Sequence, residues 1–559
     1  MVSRSEVSLR AGALILLEAV ILLPWLGQEI CIEGREARHA EIAREMLETG
    51  NFVLPQVCGE PYVDKPPLFN CIVALFFKIA GRVDFTIARL PSVFCGAAAA
   101  VGVYLLGRRW FDPRAGWFAA SIWITSSLVI EWSRMCRMDM MMACLILYGI
   151  IVADVAAAAE TSRRRRIAWY GASALIGLAT LAKGPHAILF FAVAAIAIWR
   201  VRRSRWAPDW SLVVVGGFIT LAIALLWAVA AELTHPGQLK ALLGYEFGEA
   251  LIEHDKRWYL YLDQLLIRTM PWSVLGIGAV WWAVSHIRRR SCDFVSAVGL
   301  VLAVCLLGMT IVKNKREHYL LPILPLWSVL IGAFLDRALA VRREQGRRET
   351  ERIPPWAFEW VLTAVLAGSA LAMVVAVRYW TRLAQGGIAL GAAILISAGS
   401  IAAAGAVAVV LRRLELAATA LFVSVLLVAA TGWPMYVRYY ARPDPSILAM
   451  QQIARAIPPG VPVAAYKMPN EYLYVKLNRP VLFAQTVQAV ESFLAEPGPR
   501  YLIVRTKTPE ELAKIASGRL QKVGEWRFSR RIVTVFVASP ATGARRGLDA
   551  TPEAKSGKG

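Results

Sequence analysis

The chain has 559 residues, 57% of them apolar and only 18% charged, with a mean hydropathy of +0.51. Soluble domains average about 45–50% apolar and about 25% charged residues, so an ordinary soluble enzyme is excluded and the chain reads as an integral membrane protein. Lysine plus arginine exceed aspartate plus glutamate, 62 to 40, but the surplus lies in short runs between apolar stretches and not on one groove-like face, which argues against nucleic-acid binding.

Crossing about 30 Å of hydrocarbon takes about 20 helical residues, with about 17 a practical minimum. In chain order the candidate spans are Ala11–Gly27, Arg89–Leu106, Ala115–Glu131, Asp139–Ala159, Ala168–Leu181, Gly184–Trp199 and Ser211–Ala231. Trp272–Ile287, Phe294–Val312, Tyr319–Leu335, Ala357–Val377, Gly386–Leu411 and Leu416–Trp433 follow. The basic runs are Arg108-Arg109, Arg163 to Arg166, Arg202 to Arg205, Arg288 to Arg290, Arg342 to Arg352 and Arg412-Arg413. With about thirteen crossings and a cytoplasmic N-terminus, all of these runs fall inside. The apolar stretch Leu68 to Ala80 is too short to cross and is read as re-entrant or interfacial. The Ala11–Gly27 stretch is expected to act as an uncleaved anchor.

This parity leaves outside the loop 28–67, the loop 232–270 and everything after Trp433. The expected domains are therefore a polytopic membrane domain, 1–433, an outer α/β domain, 434–540, and a disordered tail, 541–559. In the second domain Val461–Tyr466, Val481–Ala484, Tyr501–Arg505 and Val533–Ala538 read as strands. Helical stretches around Asn470–Leu477, Gln488–Ala495 and Pro509–Ala516 are interleaved with them. The eight cysteines are scattered without a CxxC, so neither a zinc site nor a disulfide scaffold organises the chain. Cys31 and Cys58 share an outer loop that would permit a disulfide, which spacing alone does not establish.

The first outer loop is the most informative segment. Ile42, Ala43, Met46 and Leu47 share one helical face, while Arg38, Glu41, Glu45 and Glu48 share the other, the pattern of a helix lying on the membrane surface. A second charged cluster, Asp64 and Lys65, stands where the chain re-enters the bilayer. Arg134, Arg137, Asp139, Lys183, His254, Lys256, Arg257 and the turn Lys313, Lys315, Arg316, His318, Tyr319 gather at the same outer level. Charges at membrane depth are costly and usually functional. Many cations with few carboxylates suit a lipid phosphate, with a carboxylate left as base. Glu18, Glu131 and Asp154, inside or near apolar stretches, are read as structural.

The ordered set Glu36-x-Arg38-His39-Ala40-Glu41-Ile42, Tyr62-x-Asp64-Lys65-Pro66-Pro67-Leu68, Arg137-x-Asp139, Lys183-Gly184-Pro185, and Lys315 with Tyr319-x-x-Pro322 resembles the GT-C membrane glycosyltransferases. Within them it looks most like the bacterial aminoarabinose transferases that modify lipid A, and beyond these the protein O-mannosyltransferase superfamily. The resemblance implies an all-α integral membrane GT-C fold in the bacterial inner membrane, with a small C-terminal periplasmic α/β domain. It also implies a polyprenyl-phosphate-sugar donor, a glycolipid acceptor such as lipid A, inversion at the anomeric carbon, no nucleotide and no nucleic-acid partner.

The family lysine that contacts the donor phosphate falls on Lys65, with Tyr319, Lys315 and Arg137 beside it. Arg38, His39, Tyr62, Asp139 and Lys183 match other active-site positions. Asp64 and His254 match positions that hold a divalent metal, zinc or magnesium, and are by themselves an incomplete set. The family's first-loop Asp-Glu pair is here Arg35-Glu36. Either Glu36 or Glu33 then takes the carboxylate role, or the acceptor is already nucleophilic, as a phosphate would be. Protein O-mannosylation is the main rival reading, and a lipid flippase or transporter a more distant one. Transporter sites lie at the bilayer midplane, not at one face.

Overall fold

The computed structural model describes residues 4–28, 34–202, 210–238, 257–343, 362–371, 388–439 and 445–538, with short interruptions inside these stretches. It divides into two compact units, Met1–Asp444 and Pro445–Gly559.

The first unit is a bundle of apolar helices. Among the described residues four are long and apolar enough to cross a membrane: Phe85–Trp110, Met138–Ala157, Trp210–Thr234 and Phe294–Ile311. Helices α1 (Arg4–Leu22), α2 (Gly34–Thr49), α3 (Leu68–Ala80) and α4 (Phe85–Trp110) open the chain. The expected span Ala11–Gly27 is thus displaced toward the N-terminus. Its helix ends before Pro24, and the Arg134 guanidinium donates to the carbonyls of Ile21, Leu22 and Pro24 at 2.6–3.0 Å, satisfying the open end. Helix α4 starts at Asp84, whose carboxylate accepts from the Ile87 N–H at 3.0 Å.

The expected span Ala115–Glu131 is two helices, α5 (Pro113–Thr125) and α6 (Ser127–Ser133). Asp112 caps α5, with Pro113 in its first turn, and extended Ser126 (φ −73°, ψ 126°) breaks the run. Then come α7 (Met138–Ala157), α8 (Ser162–Lys183), α9 (His186–Val201) and α10 (Trp210–Thr234). Next are α11 (Leu260–Arg268), α12 (Trp272–Arg288), α13 (Phe294–Ile311), a 3₁₀ turn at Glu317–Leu320 and α14 (Leu324–Arg343). Helices α15 (Ile388–Val410) and α16 (Leu414–Tyr439) close the unit. Of the expected span Ala357–Val377, much lies outside the described residues. Small residues let backbones meet: a Cβ on Gly332 of α14 would come 2.6 Å from the Ala119 N of α5.

Two polar nodes fix the helix ends. At one end Asp154 of α7, fully buried, holds Arg109 of α4 and takes Arg202 of α9 at 3.0 and 3.1 Å. Glu131 of α6 meets Arg268 at 2.8 Å, and Arg268 also binds Glu317 at 2.6 Å. Both carboxylates are therefore structural, as the sequence suggests. Glu18 is fully buried too.

Helix α2 corrects the sequence picture. It does not lie on a surface with its charges in solvent: Glu36, His39, Glu41, Arg44 and Glu45 are buried along with Ala40, Ile42, Ala43 and Met46. The charges neutralise one another, Arg44 binding Glu41 through two nitrogens at 2.8 and 2.9 Å and Glu48 at 2.6 Å. Paired carboxylates are covered at lower cost than single ones.

The second unit carries a five-stranded sheet, order β4-β3-β5-β7-β6. Its strands are β3 (Val463–Tyr466), β4 (Val481–Ala484), β5 (Arg500–Thr506), β6 (Leu520–Phe528) and β7 (Arg531–Ala538). Strand β3 is parallel to β4 and β5, while β7 is antiparallel to β5 and β6. A two-residue hairpin in the first unit supplies β1 (Gln56–Val57) and β2 (Glu60–Pro61). Helices Pro445–Ala456, Glu471–Leu477 and Val487–Ala495 accompany the sheet. The expected helix Pro509–Ala516 and the tail from 541 lie outside the described residues.

Candidate active site

Asp139 is the centre of the site. Arg137, extended at φ −143° and ψ 140°, is the N-cap residue of α7, so Asp139 falls in the first turn, where the helix dipole favours a carboxylate. Its Oδ1 takes the ammonium of Lys183 and lies 3.5 Å from His318 Nε2; its Oδ2 lies 3.4 Å from Arg137 Nε. All four residues are buried.

Local backbone explains the convergence. Lys183 is the last residue of α8, and Gly184 follows at φ 146°, ψ 178°, a conformation open essentially to glycine alone, so the chain turns immediately behind the lysine. Pro185 then starts α9. His318 sits on the short 3₁₀ turn ahead of Pro322.

Aromatic rings hold the cations in place. Lys183 Nζ lies 4.8 Å from the Tyr319 ring centroid, and the Arg137 guanidinium 5.0 Å from that of Trp132. His318 packs between those two rings, 4.3 Å from Trp132 and 4.8 Å from Tyr319. Lys65, half-buried in the turn before α3, is near enough for its charge to act on Lys183 and His186. Lys315 is buried and makes no hydrogen bond or ion pair among the described residues. Among the described residues Lys183, Arg137, Lys65 and Lys315 thus lie close together around Asp139, cationic surroundings suited to an anion.

Glu36 is fully buried and fully engaged. Arg89 of α4 donates to both of its oxygens, at 2.7 and 3.0 Å, and the Cys136 N–H donates to Oε1 at 2.8 Å. Arg89 also binds the Gln28 carbonyl at 2.8 Å. Glu36 thus ties α2 to α4 and to the segment leading into α7. In this conformation it presents no free surface to an acceptor.

His39 is buried between Phe69 and the cations, its Nδ1 3.0 Å from the Asn70 Oδ1. Burial first, then the charge of Arg137, lowers its pKa from the ordinary value to about 3, so the ring is neutral at pH 7. Arg38 is half-buried and also acts on His39. Tyr62 is buried, its N–H donating to the Pro55 carbonyl at 2.7 Å.

Of the residues singled out in the sequence, the structure brings together Arg137, Asp139, Lys183 and Tyr319, with Lys65 in electrostatic reach and His39 beside Arg137. Asp64 is half-buried next to Lys65. Glu33, His254, Cys31 and Cys58 lie outside the described residues. Among the described residues no three His, Cys, Asp or Glu side chains come together as a metal site. Sequence reasoning missed Arg89, Trp132 and Asn70 as partners of the site and gave His318 no role. Arg89 was visible as a charge at the start of a predicted span; Trp132 and Asn70 carried no signal.

Comparison with known proteins agrees with this architecture. Residues 64–228 match the family described as dolichyl-phosphate-mannose-protein mannosyltransferase. Undecaprenyl phosphate-alpha-4-amino-4-deoxy-L-arabinose arabinosyl transferase 2 of Pseudomonas fluorescens is 26% identical over 334 residues, 58% of this chain and 55% of that protein. The corresponding transferase of Pectobacterium atrosepticum is 25% identical over 382 residues, 66% of this chain and 67% of that one. The match thus spans little more than half the length of the first of these relatives. The crystal structure of ArnT from Cupriavidus metallidurans in the apo state superposes with a TM-score of 0.69 at 19% identity, covering 95% of this chain and 97% of that one. Its complex with undecaprenyl phosphate gives the same score at 18% identity, covering 96% and 98%. In fold the chain is thus similar to ArnT over nearly its whole length, and in sequence it is similar to the aminoarabinose transferases and to the mannosyltransferase family over part of it.

Proposed function

We propose that the chain is an inverting glycosyltransferase that moves a sugar, aminoarabinose or one like it, from a polyprenyl-phosphate donor to lipid A or another envelope glycolipid. The observation that carries this reading is the buried, ring-braced group of Lys183, Arg137 and His318 around the carboxylate of Asp139, with Lys65 and Lys315 adding charge. Negative charge grows on the departing polyprenyl phosphate as the glycosidic bond breaks. Fixed cations in a water-poor site stabilise that charge without reorganising. Lys65 binds the phosphate in this reading, Lys315 and Tyr319 flank it, and Asp139 holds Lys183 and Arg137 in position.

The acceptor follows from Glu36. A carboxylate with both oxygens engaged and no exposed surface is a poor general base, so the acceptor fits best as a group already ionised, a phosphate. Glu36 then positions the first loop. Glu33 remains the alternative carboxylate. A divalent metal on Asp64 and His254 belongs to the same reading; among the described residues no group of three His, Cys, Asp or Glu side chains completes its ligand set.

The finer topology is part of the proposal: about thirteen crossings of the bacterial inner membrane, N-terminus cytoplasmic, α/β domain periplasmic. It is supported by the Asp154 node, which gathers Arg109 and Arg202, both from runs assigned to the cytoplasm, at the end of α7 remote from Asp139. The test is transfer by the purified protein from undecaprenyl-phosphate-aminoarabinose to lipid A, followed by thin-layer chromatography and mass spectrometry. Label on a peptide hydroxyl in place of lipid A would support the mannosyltransferase reading, and absence of transfer to either would overturn both.

A further inference from the structure

The far half of α8 borders a second site. A cavity of about 730 Å³ lies between α7, α8, α9 and α10, within the range of about 300–1,000 Å³ usual for small-molecule sites. Arg165, at its mouth, is about 27 Å along α8 from Lys183 at 1.5 Å per residue, so this is not the Asp139 site. The walls are apolar, formed by side chains such as Ile176, Phe191 and Leu221. The polar groups in the wall are internally satisfied: Trp169 Nε1 donates to the Leu212 carbonyl at 2.8 Å and the Thr220 hydroxyl to the Ser173 carbonyl at 2.9 Å. Such an interior suits hydrocarbon.

The mouth is different. Trp169, Trp199 and Trp210 line it with Arg165 and Arg202, and tryptophans of this kind mark the water–lipid boundary. Arg202 shares the Asp154 carboxylate with Arg109. Arg165 is half-buried beside exposed Arg163, Arg164 and Arg166, with Glu160 the acidic residue in the turn before them. The rim is thus strongly positive, directly above an apolar slot.

We infer that this cavity holds an acyl chain of an anionic diacyl phospholipid from the leaflet on the side of the basic runs, with its phosphate headgroup at the run Arg163 to Arg166, of which Arg165 lines the cavity. Charge complementarity selects an anionic headgroup, and the dry, satisfied wall selects a chain. The site is separate from the donor site and stands whether or not the transfer reaction is as proposed.

The test is native mass spectrometry of the full chain in detergent, delipidated and titrated with phosphatidylglycerol, phosphatidylcholine or undecaprenyl phosphate. Gly217 lines the cavity, and a Cβ there would meet nothing within 4 Å, so the side chain of Gly217→Leu starts into open space and narrows the slot. Wild type should retain phosphatidylglycerol over phosphatidylcholine. Arg165→Gln should weaken phosphatidylglycerol about fivefold, the worth of about 1 kcal/mol per basic residue near a lipid surface, and leave phosphatidylcholine unchanged. Gly217→Leu should weaken both phospholipids and leave undecaprenyl phosphate alone. Equal retention of the two phospholipids by wild type, or loss of undecaprenyl phosphate alone in Gly217→Leu, would overturn the assignment. Should Gly217→Leu fail to fold, Arg165→Gln decides the headgroup by itself.

Discussion

The two ends of α7 each bury one aspartate, and the difference between them separates a clamp from a site. At Asp154 one carboxylate meets two arginines whose side chains are 32% and 30% exposed, so their outer edges remain in water or headgroups. At Asp139 one carboxylate is divided among Lys183, Arg137 and His318, whose side chains are 8%, 6% and 7% exposed. Cations held in so water-poor a place act strongly on an anion that reaches them, as a bound phosphate would. Closure from solvent, not the number of charged residues, tells the two nodes apart.

The most damaging change should be Lys65→Ala. If Lys65 binds the leaving phosphate, its loss removes a transition-state contact of the kind usually worth about 10²–10³-fold in turnover. Because Lys65 is half-buried in a turn, helix content and thermal midpoint should stay near wild type. Activity within a fewfold of wild type would remove the phosphate assignment. The next comparison sets Asp139→Asn against Asp154→Asn. Both strand buried guanidinium or ammonium groups, a loss of up to about 3–5 kcal/mol where the pair is fully desolvated. The half-exposed arginines at Asp154 can recover solvent, so the thermal midpoint should fall further for Asp139→Asn. The decisive readout is product affinity: Asp139→Asn, by enlarging the positive surplus, should bind undecaprenyl phosphate at least as tightly while turnover falls. Asp154→Asn should change neither per folded molecule. Equal effects on product binding would erase the distinction.

The sequence made visible what is local. Lys183-Gly184-Pro185 and Arg137-x-Asp139 stand out because each puts a charge at a helix end beside an apolar run, where charge is rare. The range Leu68–Ala80 is helical over the residues expected, for the same local reason. What sequence could not give is pairing over distance. Glu36 and Arg89 are 53 positions apart, and the periodicity of α2 tells which residues share a face without telling what covers it. That is why its charged face was expected in solvent. Strand β6 was missed because LQKVGEWRF breaks the apolar run of a buried strand: it is an edge strand paired only to β7, with a register shift between Lys522 and Gly524.

Glu36→Gln sharpens the question of the base. As a positioning residue, Glu36 should cost stability, because Arg89 loses its countercharge, and turnover should fall with the shape of the pH–rate profile unchanged. As a general base it would instead erase the acid limb of that profile, with a loss of about 10²–10⁴-fold. Glu33→Gln run alongside identifies whichever carboxylate, if either, carries that limb. A profile without an acid limb in wild type and in both variants would match an acceptor that arrives as a phosphate anion.

The smallest expected effect belongs to His39, and it acts on stability before chemistry. Its folded-state pKa of about 3 lies below the unfolded value of about 6.5, so the proton binds the unfolded chain more tightly. The contribution of the neutral ring is complete above about pH 6.5 and is withdrawn as the pH falls toward 3, amounting to roughly 2 kcal/mol at pH 5. His39→Gln keeps a group able to bond Asn70 and has nothing to titrate. Its thermal midpoint should therefore drop less than that of wild type between pH 7 and pH 5. Parallel curves for the two proteins would mean that His39 reaches solvent, and that the cluster around Arg137 is wetter than its burial indicates.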